Sequence, residues 1–344
     1  MKQRSRPTSR DIARLAEVSQ ATVSRALRNS PLVKLETRTR IASIARELRY
    51  RTDRSAAGLR SGRSQTLALL LFEESQDDSA INPFFLSLLG HITHETARRN
   101  LDLLVSFQQL SEDWYTDYLL SKRADGIILL GYGDYLDSIP RLRHLADDGA
   151  NFVIFGPPFD GMPGRYVGCD NAAGAALATR HLLGLGRRRI AFVGTANEHW
   201  PEFEMRYRGH VQALLEAGVA PDPALLVEAL TSESSGHEAA RRLLESRTSF
   251  DAVFAASDSI AIGVLGALRE HGLRTPEDVA VVGFDDIAAA AHFNPPLTTV
   301  QQDTRRAAEA LVENLIRLVD GEPVESLLIE PKLIVRASCG AQAA

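Results

Sequence analysis

The sequence predicts a small all-α N-terminal domain followed by a large α/β domain of two lobes built on parallel sheets. Three observations carry this. From Thr66 onward short apolar runs alternate with amphipathic segments, and the alternation starts again after a Pro- and Gly-rich stretch, Gly156 to Gly164. Near-continuous apolar strands separated by helices are the mark of parallel sheets covered on both faces. The first 63 residues show instead short segments with helix-start signals and helical apolar spacing. Charge divides at the same place: residues 1 to 63 hold 16 Lys and Arg against 5 Asp and Glu, a net +11, and since the whole chain carries −5 the rest carries −16. A basic head on an acidic body meets polyanions at one end only. Fourteen of the 16 cations are Arg, which suits forked phosphate and guanine contacts.

Composition narrows the classes further. The 344 residues imply two domains or three at about 150 residues each. With 44% hydrophobic and 24% charged residues, disordered, collagenous and coiled-coil chains are excluded. Cys169 and Cys339 stand far apart with no CxxC or Cys/His cluster, so neither a disulfide framework nor a zinc site is indicated, and a reducing compartment fits. The N-terminus leads into no apolar signal region and no stretch approaches 18 apolar residues, so a cytoplasmic protein without membrane contact is expected. No GxGxxG follows a strand, and no GxxxxGK[ST] or GxSxG is present. His91 and His94 share a helical face without a carboxylate at ligand spacing, and the adjacent side chains of Asp285 and Asp286 tend to diverge. No enzyme, cofactor or metal is therefore expected.

In the head, Thr8-Ser9-Arg10-Asp11 has the spacing of a capping box, with the Thr8 hydroxyl placed to accept from the third helical residue. Ile12, Leu15 and Ala16 then form an apolar stripe before Glu17-Val18 breaks the run. Ser19 can cap a second helix through Leu27, and a third is expected from about Lys34 to Leu48, with Ile41, Ile44, Ala45 and Leu48 closing the core. Two short helices joined by a tight turn make a helix-turn-helix, whose second helix offers its first residues to major-groove base edges. Gln20, Ala21, Thr22 and Arg25 would face DNA while Val23 and Leu27 pack inward.

Asp11-Ile12-Ala13 followed by Val18-Ser19-Gln20-Ala21-Thr22-Val23-Ser24-Arg25-Ala26-Leu27-Arg28-Asn29 resembles the N-terminal signature of the lac/galactose repressor (LacI/GalR) family. Three positions depart from it: Glu17 stands where the family often has Gly, Lys34 replaces a usual Ser, and Thr52-Asp53 replaces a usual Pro-Asn. The resemblance implies that Thr8, Ser19, Gln20, Ala21, Thr22, Ser24, Arg25 and Asn29 contact double-stranded operator DNA. It also implies that residues 54–64 form a hinge helix that folds on DNA, where Ala56 and Leu59 from two copies meet in the minor groove and Leu59 wedges between base pairs. Gly58 inside that segment costs about 1 kcal/mol of helix stability against Ala, so the segment is expected to be disordered alone.

In the body, strands are read at Thr66–Phe72, Leu101–Phe107, Gly126–Leu130, Phe152–Phe155, Ile190–Val193, Leu225–Ala229, Ala252–Ala255 and Val279–Gly283. Helices are read near Phe84–Arg99, Glu112–Arg123 and Leu136–Asp148. Two such units imply two lobes with ligand bound between them at the carboxyl ends of the strands. The body resembles a type I periplasmic-binding-protein fold, as the cores of that repressor family do. Val167-Gly168-Cys169-Asp170-Asn171 with Gly174, Arg206-Tyr207-Arg208-Gly209, Ala256-Ser257-Asp258, Val281-Val282-Gly283-Phe284-Asp285-Asp286 and Pro296-Leu297-Thr298-Thr299-Val300 match family landmarks in order. The resemblance implies three crossovers between lobes. The expected division is a headpiece at 1–53, the hinge at 54–64 and an effector-binding and dimerisation domain at 65–340, with lobe one at 65–165 and 301–322 and lobe two at 166–300 and 323–340.

A neutral sugar needs bidentate donors and acceptors for adjacent hydroxyls and an aromatic face for its C–H groups. Arg206 supplies the donor fork and Asp258 the acceptor, at positions resembling effector contacts in the family; Asp258 could equally cap the apolar helix it begins. Trp200 is either a stacking platform or loop packing. Asn82 and Phe84 open the first helix of the body, where the family lines its pocket, although Phe84 or Phe85 could be plain core. Tyr132 ends a strand and would face the cleft, and Asp285 either binds ligand or ties down its own turn. The expected function is a dimeric transcriptional regulator, a repressor of sugar uptake or catabolism genes released by a small sugar between the lobes. A corepressor such as a purine is the alternative, and a sugar-binding protein or enzyme with a basic head is the non-regulator one. The chain stops at Ala344 after Lys332-Leu333-Ile334-Val335-Arg336, without a leucine heptad, so a homodimer rather than a tetramer is expected.

Overall fold

The computed structural model describes residues 7–27, 29–48, 50, 63–72, 81–131, 134–158 and 163–341. The expected contacts at Ala56, Leu59 and Tyr132, and residues 54–62 of the hinge expected at 54–64, lie outside these residues. The chain divides into two compact units, residues 1–64 and 65–344.

The described residues of the first unit form three helices: α1 (Ser9–Leu15), α2 (Gln20–Leu27) and α3 (Leu35–Glu47). The capping box read in the sequence forms at the start of α1. The Thr8 hydroxyl and the Thr8 N–H both donate to the Asp11 carboxylate, each at 2.8 Å. These two bonds hold the exposed Asp11 carboxyl below its usual range. Ile12, Ala16, Val23, Ala26, Val33, Ile41 and Ala45 make the core. Leu15 does not join it and stays 54% exposed. On α2, Val23 and Ala26 are the buried residues, and Leu27, expected inward, is only partly buried against the core.

Glu17 closes α1 in the left-handed region, at φ +50°. The Val18 N–H reaches back to the Ala13 carbonyl at 3.0 Å, closing the helix end as a Schellman turn. An L-residue with a Cβ is strained there by about 1 kcal/mol. Glu17→Gly is therefore expected to raise the stability of an isolated head by about 0.5–1 kcal/mol, read as a higher urea midpoint at unchanged slope. A lowered midpoint would mean the turn is not built this way.

The second unit holds two six-stranded sheets. The first runs β11-β5-β4-β3-β1-β2, with β1 (Thr66–Leu71), β2 (Asp102–Phe107), β3 (Gly126–Leu130), β4 (Phe152–Phe155), β5 (Tyr166–Cys169) and β11 (Leu327–Ile329), all parallel. The second runs β12-β10-β9-β8-β6-β7, with β6 (Ile190–Val193), β7 (Leu226–Val227), β8 (Ala252–Ala255), β9 (Ala280–Asp285), β10 (Thr298–Gln301) and β12 (Lys332–Ile334). Only β12 is antiparallel to its neighbour. Helices α4 (Pro83–Arg98), α5 (Tyr135–Asp147) and α11 (Thr304–Val319) serve the first lobe. Helices α6 (Asn171–Gly184), α7 (Pro201–Glu216), α8 (Glu233–Glu245), α9 (Asp258–Glu270) and the short α10 (Ala288–His292) serve the second.

The chain crosses between lobes three times, but two crossings fall later than expected. Tyr166–Cys169 pairs with β4 in the first sheet, so that crossing follows Cys169 instead of residue 165. Residues 327–329 pair with β5, so the last crossing comes between Ile329 and Lys332 instead of at 322. Both strands are short and flanked by polar residues, and strands of three or four residues carry little periodicity. The helix expected at Glu112–Arg123 shrinks to one π-helical turn, Tyr115–Leu120. The inner strands β3, β4, β6, β8 and β9 are wholly buried, whereas the edge strands β2, β11 and β12 have no buried residue.

Candidate functional site

In the head, α2 is fixed at its start by the Ser19 hydroxyl, which accepts from the Thr22 N–H at 3.1 Å and meets the Thr22 hydroxyl at 2.9 Å. Gln20 donates its amide to the Ser9 hydroxyl at 2.7 Å, tying α2 to α1. Ala21 and Arg25 are exposed on the same helix, Thr22 and Ser24 are half-buried, and Val23 points away into the core. Asn29 sits at φ +54°, and its carbonyl accepts from Arg38 at 3.1 Å, so it shapes the turn after α2. Thr8 is occupied with Asp11. The outward face of α2 is thus a rigid row with Arg25 its one long cationic arm.

In the body, a cleft opens between the lobes at the carboxyl ends of the strands, where doubly wound sheets bind their ligands. From the first lobe come Phe72 after β1, Asn82, Phe84 and Phe85 at the start of α4, Gly131 after β3, and Phe155, Gly156 and Pro157 at the end of β4. Cys169 ends β5 and Gln302 follows β10. From the second lobe come Asn171, Trp200, Glu202, Phe203, Arg206, Thr231, Ser257 and Asp285. Asn82 caps α4 by accepting from the Phe84 N–H at 2.9 Å. Phe84, Phe85 and Phe155 pack against one another with ring centroids 5.4–6.2 Å apart. Phe84 is 4% exposed and is chiefly core; Phe85 presents the larger surface.

Arg206 forms the floor and is 4% exposed. Its Nε donates to the Asn171 side-chain oxygen at 2.8 Å, Nη1 donates to the Ala256 carbonyl, and Nη2 lies 3.7 Å from Asp285 Oδ1. The guanidinium stacks on Phe284 at 3.8 Å, a contact suited to a planar cation in a desolvated site. Asp285 accepts from the Gln302 amide at 2.7 Å and sits at φ +117°, a strained backbone for a residue with a Cβ. Burial pushes its carboxyl up to about 6, against the Arg206 charge and the Gln302 bond, which pull it down. The result is a donor fork beside an acceptor, under aromatic walls. Cys169 is a neutral thiol there, its ionisation pushed up to about 12 by burial.

Asp258 is the expectation that the structure corrects. It is fully buried and does not line the cleft. Its two oxygens accept from the Ile287 N–H at 2.9 Å and the Thr299 hydroxyl at 2.6 Å, stitching α9 to the ends of β9 and β10. Burial and the nearby Asp285 charge push its carboxyl well above the usual range, so Asp258 is a structural tie. Capping of α9 falls to Ser257, whose hydroxyl accepts from the Ile260 N–H at 3.3 Å. Of the other expected cleft residues, Asn82, Phe84, Trp200, Arg206 and Asp285 come together. The sequence reading missed Phe72, Phe155, Asn171, Glu202, Thr231, Ser257 and Gln302. Phe72, Phe155 and Ser257 end or follow strands it had identified, and that position was the available signal.

Among the described residues no group of three or more His, Cys, Asp or Glu is placed to hold a metal ion, and no helix is long and apolar enough to cross a membrane.

Residues 8–53 match the family model for bacterial regulatory proteins of the lacI family, and residues 179–339 match that for the periplasmic binding protein-like domain. The chain is 34% identical over 346 residues to the HTH-type transcriptional regulator CelR of Thermobifida fusca, spanning 98% of this chain and all of that one. It is 31% identical to the HTH-type transcriptional repressor CytR of Escherichia coli strain K12, spanning 98% and 97% of the two. Among solved structures, the transcriptional regulator CelR–cellobiose complex superposes with a TM-score of 0.71 at 32% identity, covering 97% of this chain and 100% of that one. The lac repressor dimer bound to operator and the anti-inducer ONPF superposes at 0.79 with 24% identity, covering 97% and 99%, which speaks to the fold. These relatives are DNA-binding regulators and not enzymes. The chain belongs to the LacI family of bacterial transcriptional regulators.

Proposed function

We propose that the protein is a cytoplasmic, homodimeric repressor of sugar uptake or catabolism genes, released from its operator by a neutral sugar bound in the cleft. The observation that carries this is the pairing of Arg206 and Asp285 under an aromatic wall. Adjacent sugar hydroxyls present a donor and an acceptor a few ångströms apart, and their C–H faces stack on rings such as Trp200 and Phe85. The solved relative with cellobiose bound supports the same ligand chemistry. In the head, Gln20, Ala21 and Arg25 would read base edges, with Thr8, Ser19, Thr22, Ser24 and Asn29 holding the helix or touching phosphates. A sugar that binds one arrangement of the lobes more tightly shifts the population toward it, and operator affinity changes by that coupling.

The cleft's charge favours an unphosphorylated ligand over a purine nucleotide or sugar phosphate. Among the described lining residues Arg206 is the only cation, it lies 3.7 Å from Asp285, and Glu202 adds a second carboxylate to the lining. Most of its donors are already committed to Asn171, Ala256 and Asp285. A thermal-shift screen with cellobiose, maltose, glucose 6-phosphate and hypoxanthine tests this. A neutral sugar at 100 times its Kd is expected to add about 2.7 kcal/mol to stability and raise the midpoint by several degrees, with glucose 6-phosphate inert. A hit with hypoxanthine alone would instead make the protein corepressor-dependent, and a hit with the phosphate alone would contradict the charge argument.

A further inference from the structure

At the rim of the cleft the two lobes touch through Asp134 and His199. Asp134 follows β3 and caps α5 in the first lobe; His199 lies in the loop between β6 and α7 in the second. His199 Nδ1 and Asp134 Oδ2 are 2.6 Å apart, and the next residue adds a second link, the Tyr135 N–H donating to the His199 carbonyl at 3.0 Å. We propose that Asp134 and His199 form a latch that holds the lobes closed over the cleft and so sets effector affinity and residence time. This rests on the cleft being the effector site.

Both halves are positioned by their own lobe before they meet. The other Asp134 oxygen, Oδ1, accepts from the Leu136 and Asp137 N–H groups at 3.0 and 3.4 Å, which aims Oδ2 across the gap. The His199 N–H donates to the Asn197 side chain at 3.1 Å, and the Trp200 N–H to the Asn197 carbonyl at 3.1 Å, which fixes the loop. Little conformational freedom is then lost when the pair forms. Burial alone would raise the Asp134 carboxyl, and the His199 bond with the capping amides holds it below the usual range. The latch also sits one residue from Trp200, which lines the cleft. A lobe opening that breaks the pair therefore carries the aromatic wall away from the ligand.

Hydrogen exchange on the full-length protein without ligand reads the latch directly, because the Tyr135 amide is protected by an acceptor in the other lobe. His199→Ala removes the side-chain bond, and Asp134→Ser removes it while keeping a capping oxygen for α5. Both are expected to speed exchange of the peptide containing Tyr135 by about five-fold, the worth of a partly exposed charge-assisted bond. A peptide around the buried Ala178 in α6 should not change. With cellobiose as probe, both variants should release ligand faster by a similar factor at an unchanged association rate. Unchanged Tyr135 exchange in both variants would overturn the latch, as would equal acceleration at Ala178, which would mean general destabilisation. If neither cellobiose nor another sugar binds the wild type while the exchange result holds, the latch stands and the sugar reading fails.

Discussion

Arg206→Ala is expected to abolish the response to the effector and to lower stability by about 3 kcal/mol, seen as loss of any ligand-induced shift and a midpoint drop of roughly 6–12 °C. The size follows from what the guanidinium holds. Its removal strands the Asn171 oxygen, the Ala256 carbonyl and the Asp285 carboxylate in a site from which water is largely excluded. Asp285 would then lose the larger of the two influences that pull its ionisation down, leaving the Gln302 bond alone against burial, so its ionisation would rise further. At neutral pH it would shift toward the protonated form, so one substitution removes the donor and weakens the acceptor. Arg206→Lys keeps the charge without the fork. It should fold closer to wild type while binding sugar at least ten-fold more weakly. Calorimetric titration of both variants decides this: sugar binding by Arg206→Ala at wild-type affinity would remove Arg206 from the site.

The second large effect lies in the packing that supports the second lobe. Gly263→Ala on α9 should cost at least about 3 kcal/mol, because its Cβ would stand 2.0 Å from the Glu233 carbonyl oxygen and 2.6 Å from the His237 nitrogen. Those are backbone atoms of α8, which cannot turn aside as a flexible side chain can. A Cβ on the facing Gly236 would likewise stand 2.2 Å from the Ile260 carbonyl oxygen, so α8 and α9 approach backbone to backbone through a pair of glycines. Gly184, at the end of α6, has open space around its would-be Cβ, and Gly184→Ala should be neutral or stabilising by up to about 1 kcal/mol. Urea unfolding of the two variants beside wild type tests the contrast. Equal midpoints for Gly263→Ala and wild type would mean that α8 and α9 can separate without loss.

Much of this arrangement could be read in the residues. The strands with continuous apolar runs, β1, β3, β4, β6, β8 and β9, announce themselves because burial on both faces demands continuous hydrophobicity. The short strands β5, β10, β11 and β12 did not, since their place in a sheet depends on neighbours distant in sequence. That is why two of the lobe crossings were misplaced. Arg206 was legible as the donor fork, while its acceptor was read as Asp258 and Asp285 was left as either a ligand contact or a tie for its own turn. Asp258 was misassigned because a carboxylate beginning a helix after a strand looks the same whether it turns into the cleft or toward Thr299 and Ile287. Only the three-dimensional neighbourhood separates these cases. Gln302 was invisible because β10 was not recognised as a strand, so its following residue was not known to sit at the cleft.

The most direct measurement is fluorescence anisotropy of an operator duplex, selected from random DNA by the purified protein, titrated at fixed salt with and without the neutral sugar that raises the melting midpoint. The expected result is a pseudo-palindromic selected site, at least ten-fold weaker binding in saturating sugar, loss of tight binding in Arg25→Ala, and DNA binding in Arg206→Lys whose sugar response needs at least ten-fold more sugar. A sugar that binds the cleft while operator affinity stays the same would contradict control of the head by the cleft.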